Sequence, residues 1–371
     1  MGVINLVSEK DNLEELTYYR SQAAVPFGAR YRLIDFALSN MVNSGIADIA
    51  VLTSNKYRSL IEHLGTGKDW DLERKKGGLF ILPPLYNYSP DSGQGDLQNF
   101  YQHLDFFLRG NQSYVVVSAG NIVSNIDYRP ALHFHRQINA DITILYKEND
   151  NTNDCNLPKV AMDENRKILD IDKNFNIRYA YASSNVNKVF IKTFIINKDL
   201  LLSFINDCAG KSGCNLVTDS IIKNINILRI YGFPYYGYMA NIDSINSYFR
   251  NSMELLINNT WQKLFYQHNF IYTKGKNEPP AKYTKESSVK NSLIANGCII
   301  EGTVINSILF RGVKVNKGAY IKNSILMQRS EIGDNVIIEN AILDKRVKVS
   351  PYQSLKGRFE KPAVIAKRTS I

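Results

Sequence analysis

Leu309-Phe310-Arg311-Gly312-Val313-Lys314-Val315-Asn316-Lys317-Gly318-Ala319-Tyr320-Ile321-Lys322-Asn323-Ser324-Ile325-Leu326-Met327 carries an aliphatic side chain at every sixth position: Leu309, Val315, Ile321 and Met327. The same spacing joins Ile294 to Ile300 and Ile332 to Ile338. A second small or aliphatic residue falls four places after most of these, at Cys298, Val304, Val313, Ala319, Ile325, Val336 and Ile342. Helical faces recur every ~3.6 residues and strand faces every ~2, so neither explains a period of about six. A β-helix whose coils stack their aliphatics inward does. Slips in register between 300 and 309, and between 327 and 332, predict loops or tightened corners.

Upstream the pattern differs. Residues 46–53, 113–117 and 140–145 read as buried strands, while 33–42 and 131–138 have helical periodicity. Strand–helix alternation argues for a mostly parallel sheet covered on both faces. Ligands of such sheets bind beyond the carboxyl ends of the strands, here the loops after Thr53 and Val117. Ile245 to Phe265 reads as one long helix, and Lys274-Gly275-Lys276 with Pro279-Pro280 marks a linker. The expected division is 1–255, a helix end and linker at 256–286, and the repeat at 287–371.

A length of 371 residues favours two domains over one core. No run approaches the roughly 20 apolar residues of a membrane span, and the first residues lack the pattern of a signal peptide. Leu6 stands where a myristoylation signal needs Ser or Thr. Cys155, Cys208, Cys214 and Cys298 lack paired spacing and read as reduced thiols in the cytoplasm. Asn258-Asn259-Thr260 matches a glycosylation sequon, which has no meaning there. The net charge of +10 is spread along the chain without a nucleic-acid motif, and suits anionic small ligands or a plain solvated surface. His133 and His135 point to different faces of a helix, a poor metal pair. All five histidines precede the repeat, which removes the base an acyltransferase of this architecture uses.

Pro26-Phe27-Gly28-Ala29-Arg30-Tyr31-Arg32-Leu33-Ile34-Asp35-Phe36 and Leu38-Ser39-Asn40-Met41-Val42-Asn43-Ser44-Gly45-Ile46 closely resemble the N-terminal signature of ADP-glucose pyrophosphorylases, the glucose-1-phosphate adenylyltransferases. Asn55-Lys56-Tyr57-Arg58-Ser59-Leu60, His63-Leu64-Gly65, Trp70-Asp71-Leu72 and Leu82-Pro83-Pro84 continue the match. Gly65-Thr66-Gly67-Lys68 belongs to it and has the wrong spacing for a phosphate loop. The resemblance implies an α/β fold: a Rossmann-like nucleotidyltransferase domain with a mostly parallel sheet, followed by a left-handed parallel β-helix. It implies a family reaction in which ATP and glucose 1-phosphate give ADP-glucose and pyrophosphate.

The departures from that pattern carry the functional reading. Where the family has a Gly-Gly-x-Gly-Thr-Arg-Leu loop around the nucleotide phosphates, this chain has Val7, Ser8, Glu9, Lys10, Asp11, Asn12 and Leu13. Glycines that let backbone amides approach an anion are gone, and two carboxylates repel it. The family's two Mg²⁺-holding aspartates align with Asn121, ahead of Asp127-Tyr128, and with Asn241, after Gly237-Tyr238. A hard cation prefers carboxylate oxygens, so metal attraction collapses while shape is kept. Lys173 aligns with a lysine that holds the sugar phosphate, although Asn174 replaces the following proline. Arg20 lies where family members bind phosphorylated effectors, with Gln22 at a nearby lysine position.

These features resemble the GlgD-type class, paralogues found beside a catalytic subunit. The resemblance implies a pseudoenzyme with degenerate Asn121 and Asn241. It would bind no metal of its own, Mg²⁺ entering through a catalytic glucose-1-phosphate adenylyltransferase subunit in a hetero-tetramer that serves glycogen synthesis. Sugar-phosphate or nucleotide effectors are expected, with no nucleic acid and no membrane. Two alternatives stay open: a weakly active enzyme using Asp127 or Asp243 for its metal, and a homo-oligomeric sugar-phosphate sensor.

Overall fold

The computed structural model describes residues 1–7, 12–85, 95–148, 156–172, 188–209, 211, 213–266 and 269–371. It divides into two compact units, Met1–Glu9 with Phe36–Asn241 and Asn269–Ile271, and Lys10–Asp35 with Ile242–His268 and Tyr272–Ile371. The segment 1–255, read from the sequence as one domain, is thus shared between them.

The first unit is built on a nine-stranded sheet. Tyr114–Ser118, Gly2–Asn5, Asp48–Leu52 and Gly78–Leu82 lie side by side and parallel. Val3, Ile4 and every residue from Ile49 to Leu52 are fully buried, as expected for strands covered on both faces. The other half is not parallel throughout. Lys188–Asn197 runs antiparallel both to Tyr114–Ser118 and to Ile142–Glu148, which in turn pairs in parallel with Ile230–Pro234. The expected strands are therefore found at Asp48–Leu52, Tyr114–Ser118 and Ile142–Glu148, with helices at Leu33–Asn43 and Arg129–Gln137. His135 is an ordinary buried residue, its ring bonded to Thr143 Oγ1 at 2.8 Å and Asn197 Oδ1 at 3.1 Å.

In the second unit, three five-stranded parallel sheets form the faces of a left-handed β-helix. Ile300, Val304, Leu309, Val315, Ile321 and Ile338 are fully buried in its interior. Burial of each such side chain contributes roughly 1.5–3 kcal/mol, so the period of six marks the inward face. The slips come at one corner, where Asn306, Asn323 and Asn340 each adopt positive φ, 17 residues apart rather than 18. Asn306 accounts for the slip between 300 and 309; the second lies at Asn323 and not between 327 and 332, because Leu326 rather than Met327 joins the inner cluster. Asparagine tolerates the left-handed conformation because its amide bonds locally. Here the amides also bond from coil to coil, Asn323 Nδ2 to Asn340 Oδ1 at 3.2 Å.

Beside them runs a buried serine ladder. Ser324 N–H donates to Ser307 Oγ at 3.1 Å, and Ala341 N–H to Ser324 Oγ at 3.2 Å. Each hydroxyl also donates to a carbonyl of its own coil, Ser324 to Lys322 at 2.7 Å. The shortened corner leaves backbone N–H groups that the hydroxyls satisfy.

The long helix expected over 245–265 is two, Ile245–Glu254 and Asn258–Phe265. A Ser244–Ser247 capping box starts the first. The break comes at Ile257, which takes an extended conformation (φ −85°, ψ 119°) and becomes the residue before the second helix. Leu256 and Ile257 tighten the end of the first helix by bonding three residues back, to Met253 and Glu254. Apolar periodicity continues across such a break because both pieces bury a face, so periodicity alone reads it as one helix.

Ser324→Ala removes an acceptor for a buried amide and should destabilise the protein by about 1–3 kcal/mol, read as a lowered denaturant midpoint. Ser292→Ala, at the exposed first coil, should change it less.

Candidate functional site

The carboxyl end of Tyr114–Ser118 leads through Ala119 and Gly120 to Asn121, and then into the short strand Ile122–Ser124. Met239–Asn241 pairs antiparallel with that strand, placing Asn241 opposite Ile122. Residues 120 positions apart are thereby joined: Asn121 Nδ2 donates to Asn241 Oδ1 at 3.1 Å. Both are buried, at 3% and 7% exposure. The turn before them is held by Ala119 N–H to Lys192 O at 3.2 Å and by the Ser118–Thr193 hydroxyl contact at 3.1 Å.

This contact requires an amide at Asn121, the donor, and excludes a carboxylate at both positions. Two carboxylates at this separation would repel by roughly 5 kcal/mol even at an effective dielectric constant near 20, and only a bridging cation would hold them together. An amide pair closes on itself instead. A cation arriving here would meet neutral oxygens, one already engaged by its neighbour, where Mg²⁺ prefers anionic ligands. This donor pair does not fit Mg²⁺.

Asp127 does not stand in for them. Burial disfavours its charge, but Arg129 grips both oxygens, with Nε at 2.9 Å and 3.0 Å and a terminal nitrogen at 2.7 Å. Those bonds hold the carboxyl below the usual carboxylate range. Asp243 belongs to the second unit. It precedes the helix cap Ser244, its N–H donated to Ser247 Oγ at 2.9 Å. Among the described residues no group of three or more His, Cys, Asp or Glu could hold a metal ion.

Asp96 is the buried acid that sequence reasoning passed over. It accepts from Asn5 Nδ2 at 2.8 Å and from Leu216 N–H at 2.7 Å, and burial raises its pKa. It therefore ties the end of the central strand to two distant segments. Its signal was weak, a single Asp after Gly95 with no motif around it. Lys173 lies outside the described residues.

Arg20 lies in the second unit and is sealed, with Nε donating to Leu16 O at 2.7 Å and a terminal nitrogen bound to Asp344. The pair is 5% and 1% exposed. Gln22 Nε2 donates to Ile242 O. Lys345, next to Asp344, is pushed down to about 6, by burial first and then by Arg32 and Arg20. Lys367 is lowered as well, by burial, Arg20 and Arg368. Asp344-Lys345-Arg346 was the available signal, a charged run in a coil whose neighbours are aliphatic.

Residues 11–172 match the nucleotidyl transferase family, and 279–356 match the GlmU-like C-terminal hexapeptide family. Glycogen biosynthesis protein GlgD of Bacillus subtilis (strain 168) is 40% identical over 367 residues, covering 99% of this chain and 95% of the relative. GlgD of Geobacillus stearothermophilus is 42% identical over 370 residues, covering 100% and 96%. Glucose-1-phosphate adenylyltransferase of Geobacillus stearothermophilus is 33% identical over 317 residues, covering 84% and 80%. The chain belongs to the glucose-1-phosphate adenylyltransferase family, on its GlgD side.

These relatives support a role in glycogen synthesis. No described helix is long and apolar enough to cross a membrane. Within the family, the Asn121–Asn241 pair stands where the resemblance puts two metal-holding aspartates. Restoring both tests the electrostatic account directly. Asn121→Asp/Asn241→Asp should unfold at lower temperature than the parent in chelator at neutral pH, and millimolar Mg²⁺ should recover the difference. The parent should show no Mg²⁺ dependence of its melting temperature.

Proposed function

We propose that this chain is a non-catalytic, regulatory subunit that assembles with a catalytic glucose-1-phosphate adenylyltransferase and raises or tunes its activity in cytoplasmic glycogen synthesis. The observation that carries the reading is the buried hydrogen bond between Asn121 and Asn241. A site built for phosphoryl chemistry uses fixed charges to hold Mg²⁺ and neutralise the transition state, each such group contributing ~3–4 kcal/mol. Here the two positions are neutral and joined to each other by a hydrogen bond. The segment Val7 to Leu13 supports the same reading, since its glycines are missing and Glu9 and Asp11 oppose a triphosphate. Mg²⁺ then acts only in the partner's site, and the assembly is a hetero-tetramer.

With Mg²⁺, ATP and glucose 1-phosphate, the pure chain should form ADP-glucose at least about 10³-fold more slowly than a catalytic homologue. Mixing the two should raise the homologue's rate or alter its response to effectors. Turnover by the pure chain abolished by Asp127→Asn would establish the weakly active enzyme instead. Unaltered kinetics and assembly on mixing would overturn the regulatory reading.

The cluster of Arg32, Lys345, Lys367 and Arg368 around the Arg20–Asp344 pair is the place where we would seat an anionic effector such as a sugar phosphate or nucleotide. Cations held together at the cost of Lys345's proton are stabilised by an arriving anion. The folded pKa of Lys345, about 6, lies below its ordinary 10.5, so the unfolded chain binds more protons between these values. Stability from this group therefore rises with pH across that window. Inorganic phosphate should raise the melting temperature at pH 7 with uptake of a proton, seen by calorimetry in buffers of different ionisation enthalpy. Lys345→Met should abolish the uptake.

A further inference from the structure

In the first unit, Cys208 ends the helix Lys198–Asp207 and Cys214 precedes the π-helical turn Leu216–Ile222. Both line one cavity of about 390 Å³, together with Lys211, Asp219 and Lys223. Cys208 is buried and Cys214 half-buried, and Cys214 packs against the same apolar cluster that contains Cys208. The two thiols therefore share one cavity and one apolar cluster, six residues apart in the chain. Gly213 makes this return possible, since its φ of 82° turns the chain back immediately before Cys214. Cys298 is in the β-helix, its Sγ bonded to Phe310 O at 3.1 Å. Neither thiol has a place in the function proposed above.

We propose that Cys208 and Cys214 are a modification site that closes reversibly into an intramolecular disulfide by exchange with a small-molecule disulfide. Cys214, the more accessible thiol, attacks first as its thiolate, forming a mixed disulfide and expelling one small thiol. Cys208 then loses its proton to solvent and attacks Cys214 Sγ, expelling the second. Two protein thiols are oxidised, and one external disulfide is reduced to two thiols. Burial, with Cys214 beside it, pushes the Cys208 thiol up to about 12, which keeps it protonated until this second step. Lys211 borders the cavity and favours a thiolate at Cys208, while Lys223 is paired with Asp219 at 2.7 Å, whose charge opposes it.

The site is joined to the strand ends. Cys214 O accepts the Leu97 N–H at 3.2 Å, and a Cβ at Gly95 would lie 1.8 Å from that oxygen. Two residues on, Leu216 holds Asp96, which holds Asn5. Closing the disulfide moves Cys214 and so loosens or tightens this clamp.

The test is equilibration of the whole protein in glutathione buffers of increasing oxidation, followed by acid quench, alkylation and peptide mass spectrometry. Cys208 and Cys214 should lose alkylation together, as one linked peptide about two mass units lighter, and dithiothreitol should restore both. Cys214→Ser should leave Cys208 alkylated under every condition, and Cys298→Ser should change nothing. Hydrogen exchange at the Leu97 and Leu216 amides should change at least twofold on oxidation. A glutathione adduct persisting on Cys214, a link to Cys155, or both thiols alkylated throughout would each overturn the site. Unchanged exchange in the linked protein would overturn its coupling to the clamp.

Discussion

Parallel strands cannot be closed by a tight hairpin, and both units of this chain are organised by that constraint. In the first unit the return path is a long crossover, so each strand of the parallel half ends at a loop on the same edge. Asn5, Thr53 and Asn121 follow or end three of these strands. In the second unit the return path is the other two sides of a triangular coil, and one of its corners is an asparagine with positive φ at Asn306, Asn323 and Asn340. The first solution gathers side chains for chemistry at strand ends. The second uses its polar groups for the architecture itself, in the asparagine and serine ladders.

The two units treat buried charge differently. Asn121 and Asn241 carry none, and a hydrogen bond joins the two amides where two carboxylates would need a bridging cation. In the same unit Asp96 keeps its carboxyl, held by Asn5 and Leu216, and burial raises its pKa despite those bonds. In the β-helix unit the charges are retained. Arg20 and Asp344 neutralise each other out of water, and burial, with Arg32 and Arg20 close by, lowers the pKa of Lys345 so that its neutral form is favoured. Isolated charges are costly inside a protein, and pairing, deprotonation and replacement by amides are three ways of avoiding that cost.

Much of this was legible beforehand. Ile300, Val304, Leu309 and Val315 announced the coil because an inward face repeats with the side of a triangle, a purely local rule. The buried strands showed because residues covered on both faces must be apolar without alternation. Asn121 and Asn241 could be singled out separately, through the motifs flanking each. The break at Ile257 could not, because two helices burying one face keep a single period across a one-residue change of backbone direction. Nor could Asp96, whose role rests on Asn5 and Leu216, 91 and 120 residues away.

The sequence by itself determined the two architectures and the family, since each is written in local spacing and in residue identity. Only the tertiary structure decided which groups meet. It joined Asn121 to Asn241, closed Asp344 over Arg20 and brought Cys208 and Cys214 to one cavity. The reason is that a hydrogen bond or ion pair depends on separations of about 3 Å, and the chain sets these through register and crossover rather than through the identity of the residues it joins.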